Sequence, residues 1–297
     1  MTLAETSTTI PTPPPGTAGA LPGSSGGVSP AATELDAFAR DWQQWHDELE
    51  TGRRAPHGFL AYTSVNFLDD HPRRFDGVPG VWSTGERGPV VELDPGEVFV
   101  IDGVQVSGRH EYGVIGERTF HRAGFGDVVV ELSRRGGRDL VRPLYPDHGL
   151  RVGYRGTPTF APHPRWVIEA VFEAEEPRDI PIAAAIPEIT HTHSTPGRVR
   201  FTIDGESYAL TLIARGAGQA TLLFRDATSG VTTYAASRTL GVALPSDGTD
   251  RVVLDFNRAT NLQCAYTDYS PCPLAPAENR LPFAVEAGEK IPLDRTS

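Results

Sequence analysis

The residues best equipped for chemistry crowd into one stretch near the C-terminus. Leu254-Asp-Phe-Asn-Arg-Ala-Thr-Asn261 is followed by Cys264-Ala-Tyr-Thr267, Cys272-Pro273, Glu278-Asn-Arg-Leu281 and Ala287-Gly-Glu-Lys290. Side chains alternate between faces along a strand, so Val252, Leu254 and Phe256 share one face, and Val253, Asp255 and Asn257 share the other. A half-buried carboxylate needs a partner, and the spacing predicts Arg238 or Arg258 for Asp255. With the upstream loop, this stretch supplies the polar lining of a ligand pocket built from loops 225–238 and 255–280: Asp226, Tyr234, Arg238, Asp255, Asn257, Tyr266, Glu278 and Asn279. Such a set suits a small anionic or polar ligand, because binding sites join an apolar wall to a few converging polar groups. Two other readings fit the same residues. In a hydrolase or lyase, Asp255 or Glu278 would be the general base and Arg238 would hold a carboxylate or phosphate. In a structural cap, an ion pair, tight turns and packed cysteines would close a β core with no site at all.

Cys264 and Cys272 enclose seven residues. They are expected to be structural thiols or a loop staple, with redox chemistry and metal binding as the alternatives. Zinc would need two more ligands, and no His lies in the stretch. His191-Thr-His193 has metal-like spacing, but no carboxylate follows where a cupin-like barrel would place one, so these are expected to be exposed linker histidines. There is no phosphate-binding loop, no Gly-x-Ser-x-Gly elbow and no complete dinucleotide fingerprint. Neither metal nor cofactor is expected.

The elements that must position these residues are mostly strands. Residues 1–30 hold six Pro and five Gly with one charge, Glu5, and read as a disordered tail. One amphipathic helix follows, capped by Ser29 and ended by Gly52. Leu35, Phe38, Trp42, Trp45 and Leu49 step by three and four residues along one face. Beyond it the period changes to two. Strands are expected at 59–67, 90–93, 97–101, 104–107, 128–132, 140–141, 166–173, 199–203, 208–212, 221–224, 231–235, 251–256 and 281–287. Asp102-Gly103, Gly136-Gly137 and Asp204-Gly205 mark hairpins. Residues 174–196, rich in Pro, Ala and acids, read as a surface connector. The fold expected is mostly β, an antiparallel sandwich or barrel-like set of sheets with one N-terminal helix. The helix and a first β region would span 31–175 and a second β region carrying the motif 176–297, with one continuous domain as the alternative.

The net charge of −11 argues against a general nucleic-acid binder. The cluster Arg134, Arg135, Arg138 and Arg142 is either a solvated hairpin tip or an anion-binding edge. No segment approaches the roughly 20 apolar residues of a membrane span. No secretory signal is evident, so a cytoplasmic location is the expectation.

Phe224-Arg-Asp-Ala-Thr-Ser-Gly230, Thr233-Tyr234, Arg238, Asp255-Phe-Asn-Arg-Ala259, Cys264-Ala-Tyr-Thr267, Cys272-Pro273, Glu278-Asn279 and Ala287-Gly-Glu-Lys290 resemble the prokaryotic family known as domain of unknown function 1684. Gly153-Tyr154, Gly156-Thr-Pro158, Arg165-Trp166 and Pro196-Gly197 fit its middle, and Trp45 to Leu68 its start. The sequence departs at Leu262, where such proteins usually carry Pro after Asn. The resemblance implies no activity and no catalytic residue. It supports only where the site lies.

Overall fold

Alternating burial along the strands builds two antiparallel sandwiches in series, joined by the polar segments of the C-terminal stretch. The computed structural model describes residues 30–293 and 295, apart from 188, 217 and 247, with side chains from residue 34 onward. The expected tail, up to residue 29, and the Ser29 cap lie outside the described residues.

The helix runs over Pro30–Arg53 and buries Trp42 and Trp45, as its periodicity predicts. It passes through Gly52 and stops one residue later. The first sandwich pairs a six-stranded sheet with a four-stranded one, both drawn from residues 66–144. Between them lie Trp82, Phe99, Leu132 and Val141. Gly136 and Gly137, both at positive φ, turn the hairpin Val128–Arg135 to Arg138–Leu144. The second sandwich is two four-stranded sheets over residues 167–261, closed on Phe201, Leu222, Phe224 and Leu254. No sheet among the described residues closes into a barrel.

Three expectations fail, each for a tertiary reason. Residues 174–196 are no connector. Val167–Ala183 and Thr190–Ile203 form one long antiparallel ribbon that spans them, with a register shift between Ala174 and Arg178. Residue 175, the expected junction of two regions, therefore sits inside a strand. The ribbon's far half leaves the second sandwich and lies against the first, where a Cβ on Gly136 would touch Ile189. This half reads as linker because its own sheet covers one face only, and the other is covered by a distant part of the chain. Residues 59–67 begin as a 3-10 turn, Phe59–Ala61, and only Asn66–Phe67 pair as strand. Residues 231–235 and 281–287 are loops: the amides of Val231, Thr232 and Thr233 turn back on the carbonyl of Thr228, and 281–287 bonds the backbone of Arg225 and Ala227 and the side chains of Asp226 and Arg238. Seven strands escaped the periodicity: Arg73–Phe75, Val78–Gly85, Arg109–Glu111, Phe120–Phe125, Ile213–Gly216, Arg238–Ala243 and Thr260–Asn261.

The ribbon also overturns the exposed histidines, since His191 and His193 both point inward and are buried. His191 Nε2 donates to the carbonyl of Pro271 at 2.5 Å. Arg118 Nη1 donates to His193 Nδ1 at 2.8 Å, so the proton of His193 sits on Nε2. The arginine cluster serves the same junction. Arg134 pairs with Asp139, and Arg142 with the buried Glu131 at 2.6 Å. The amides of Gly136 and Gly137 bind a carboxylate of this chain, that of Glu117, at 2.6 and 2.9 Å.

Burial and the nearby Arg118 charge hold His193 neutral, with its pKa lowered to about 4. The same burial lowers that of His191. An unfolded imidazole protonates near pH 6.5, so below that pH the unfolded chain binds more protons and stability is lost as pH falls toward about 4. Thermal melts should therefore drop on acidification from pH 7 to 5, and His193→Gln should flatten that drop.

Candidate functional site

Arg238 opens the strand Arg238–Ala243 and is fully enclosed, and its partner is Asp226, not Asp255. Its Nη2 donates to Asp226 Oδ2 at 2.7 Å and to the carbonyl of Val285 at 3.0 Å, while Nη1 donates to that of Ala287. Asp226 Oδ1 takes the amide and hydroxyl of Thr228 at 2.7 and 2.5 Å. Two loops that lack strand partners, 226–237 and 281–287, are thus held by one buried ion pair. A charge pair without water survives only when its remaining donors and acceptors are used, and here only Arg238 Nε lacks a partner.

Asp255 pairs instead with the second arginine named from sequence. The strand Arg251–Asp255 bends into the 3-10 turn Phe256–Arg258, which brings Arg258 Nε to 3.3 Å from Asp255 Oδ2. Asp255 also caps that turn, accepting from the amide and the Nδ2 of Asn257. Burial raises its pKa, and Asn257 and Arg258 oppose the rise. Asn257 exchanges bonds with both backbone groups of His163, and its carbonyl accepts the Trp42 indole at 2.7 Å. Asn279 works as an extra strand residue, bonding the amide and carbonyl of Thr211 and the carbonyl of Leu223, each at 2.8 Å. Glu278 accepts from Thr211 Oγ1 at 3.2 Å.

Tyr266 belongs to a second buried polar cluster, whose other members sequence reasoning missed. Arg53, at the end of the helix, reaches Glu50 Oε1 at 2.8 Å and Glu289 Oε1 at 2.5 Å. Tyr154 donates to Glu50 at 2.8 Å, and Thr157 links Tyr154 to Tyr266 at 2.7 and 2.8 Å. Burial pushes the Tyr154 phenol up to about 12 and Tyr266 well above its usual range. Glu289 Oε2 accepts the amide of Asn261 at 2.6 Å. Its approach depends on Gly288, where a Cβ would lie 2.4 Å from the carbonyl of Ala259. A signal was present, since Thr157 and Glu289 stand inside quoted motifs and Glu50 and Arg53 close the helix. Nothing local says that four distant segments meet. His46, Glu50 and Glu289 place ligand atoms within 4.8 Å of one another. Both carboxylates already face the Arg53 guanidinium, which supplies the positive charge a cation would bring.

A cleft of about 340 Å³ opens where the two sandwiches meet. Val65, Ala185, Ile186 and Pro187 form its apolar side, and Tyr234, Cys264, Asp268, Ser270 and Arg295 its polar side. Of the eight residues expected to line one pocket, Tyr234 reaches this cleft. Asp226, Arg238, Asn257, Tyr266 and Asn279 are buried in the bonds just described, and Asp255 and Glu278 do not line it. Tyr234 OH donates to the carbonyl of Cys264 at 2.8 Å, and Arg295 Nη1 donates to the same oxygen at 3.0 Å. A larger concavity, bordered by Arg40, Gln43, Gln44, Asp47, Glu48 and Thr51, follows the outer face of the helix alone and so has a single wall. Cys264 and Cys272 are free, buried neighbours. Leu262 precedes them at φ −76°, a value proline also adopts, so its departure from the family pattern leaves the backbone path unchanged.

The model of the family described as Protein of unknown function (DUF1684) matches residues 152–290. An uncharacterized protein of Haloarcula marismortui, solved by solution NMR, is 31% identical over 47% of this chain and 78% of its own, with a TM-score of 0.40. The chain belongs to the DUF1684 family. A search of curated proteins finds no match. The DUF1684 span contains Thr157, Tyr266, Glu289 and both cysteines. The helix, the first sandwich, Val65 and Arg295 lie outside it, as does the resemblance read at Trp45 to Leu68. In this member of DUF1684, then, the matched region and the preceding chain share both the Arg53 cluster and the cleft.

Removing one partner of a buried pair strands the other's charge, at a cost of about 3–5 kcal/mol. Arg238→Ala should lose that much in urea denaturation. Paired with Asp226→Asn in a double-mutant cycle, it should show strong coupling.

Proposed function

We propose that the protein binds a small polar or anionic molecule in the cleft between the sandwiches. The observation that carries this reading is the convergence of loops 225–238 and 255–280 on one concave surface, through Tyr234, Cys264, Asp268 and Ser270, opposite an apolar wall. The volume falls in the range of small-ligand pockets, and such pockets favour junctions of this kind. Arg295 supports the anionic preference. One edge of its guanidinium is anchored on the Cys264 carbonyl, and the other meets Asp268, a largely exposed carboxylate, at 2.8 Å. A ligand carboxylate or phosphate can take the place of Asp268 with little loss, because an exposed pair contributes only about 0–1 kcal/mol.

The buried bonds of Asp226, Arg238, Asn257 and Asn279 favour a second reading for the rest of the motif, a cap that closes the second sandwich. The two readings divide the motif between them. A nucleic-acid partner is disfavoured by the charge of −11. No helix among the described residues is long and apolar enough to cross a membrane. We place the protein in the cytoplasm, where two adjacent free cysteines suit a reducing environment.

Thermal-shift screening with carboxylates and phosphorylated metabolites, alongside mass spectrometry of the purified protein, tests the cleft. A ligand at one hundred times its Kd adds about 2.7 kcal/mol of stability. That shift should weaken in Arg295→Ala and persist in Arg238→Ala. A shift that survives Arg295→Ala unchanged would place the ligand elsewhere.

A further inference from the structure

Two free thiols lie behind the polar wall of the cleft, on one short loop. The amide of Cys264 donates to Cys272 Sγ at 3.3 Å. The Arg142 guanidinium acts on Cys272 from the first sandwich. Cys264 forms part of the cleft surface. Cys272 keeps 8% of its own surface exposed. No other cysteine occurs in the chain.

A thiol used only for packing is a small apolar group that needs no donors. Here the donors converge on one sulfur of the pair. The Cys264 thiol, with the amides of Cys264 and Gln263 and the Arg142 charge, lowers the Cys272 pKa against burial. The Cys272 sulfur and burial raise that of Cys264. Unequal neighbours of this kind are the arrangement in which one sulfur attacks and the other resolves.

We propose that Cys272 and Cys264 form a reversible dithiol–disulfide site, with Cys272 as the attacking sulfur, Cys264 as the resolving one and a small hydroperoxide entering by the cleft as oxidant. The Cys272 thiolate attacks one peroxide oxygen. An S–O bond forms, the O–O bond breaks, and the departing alkoxide or hydroxide takes a proton. The Cys264 sulfur then attacks Cys272 Sγ, an S–S bond forms, and hydroxide leaves with the Cys264 proton as water. In sum, two thiols lose two electrons and two protons, and the hydroperoxide becomes an alcohol, or water, and a water molecule. A dithiol reductant reverses the change. The loop 264–272 can accept the bond without breaking a sheet, since it holds no strand.

The disulfide would also act on the cleft, and this clause rests on the binding reading above. The Cys264 carbonyl holds both Tyr234 and Arg295, so drawing Cys264 toward Cys272 would reset the polar wall.

The test treats the folded, reduced full chain with hydrogen peroxide and maps its cysteines by alkylation and peptide mass spectrometry. Wild type should yield an intramolecular Cys264–Cys272 disulfide that dithiothreitol reverses. In Cys264→Ser, a dimedone-type probe should trap a sulfenic acid on Cys272, at least about tenfold more than on Cys264 in Cys272→Ser. Equal trapping at the two positions overturns the assigned roles. Wild-type thiols that stay fully alkylatable after unfolding, or disulfides only between molecules, overturn the site. If either serine variant misfolds by circular dichroism, the wild-type disulfide map decides alone. Oxidation needs no cleft ligand, so the thiol chemistry stands or falls apart from binding. A disulfide that forms while a cleft ligand's thermal shift stays unchanged refutes only the coupling to the cleft.

Discussion

A guanidinium held between two buried carboxylates ties the molecule together. Arg53 comes from the helix, Glu50 from the turn before it, and Glu289 from the far end of the chain. Taking such ions out of water costs several kcal/mol each unless every lone pair and proton is used. Thr157, Tyr154, Tyr266 and the amide of Asn261 supply further bonds, and Glu50 Oε2 is left without one. The added partners come from two further segments, 154–157 and 261–266, so satisfying one charge draws four parts of the chain to one point. Breaking the cluster exposes unpaired charge to a dry interior. That penalty makes the helix and the C-terminal stretch a single unit.

The Asp226–Arg238 pair applies the same physics a short distance away. Loops 226–237 and 281–287 have no neighbouring strand for their backbone groups. The guanidinium accepts that task by donating to the carbonyls of Val285 and Ala287, while Asp226 takes the amides of Thr228 and Val285. Asn257 and Asn279 use side-chain amides likewise, in place of absent strand residues. Much of the motif's polarity is therefore spent inside the protein. What remains for a ligand is the rim: Tyr234, Asp268, Ser270, Arg295 and the cysteine beneath them.

Those rim groups sit where the two sandwiches and the ribbon meet. The first sandwich contributes Val65 to the cleft and Arg142 to the thiols, and the ribbon contributes Ala185, Ile186 and Pro187. A cleft shared among separate layers can respond to small shifts between them, and its sulfur pair gives one chemical means of causing such a shift.

The amino-acid sequence alone determined the helix, most strands, three hairpin turns and the location of the polar motif. Those features depend on periods of 3.6 and 2 and on glycine at positive φ, which a short window of residues carries. It also named Arg258 beside Arg238 as a partner for Asp255, because an i to i+3 contact is local. The tertiary structure alone decided that Arg238 belongs to Asp226, that Glu289 reaches Arg53 across 236 residues, and that the ribbon's inward histidines face another sheet. Burial of a charge depends on everything that surrounds it, and those surroundings come from segments far apart in sequence. The same separation explains the candidate pocket. Its polar residues were legible as a group, but which of them would be consumed by the fold and which left facing a cleft was set only when the two sandwiches came together.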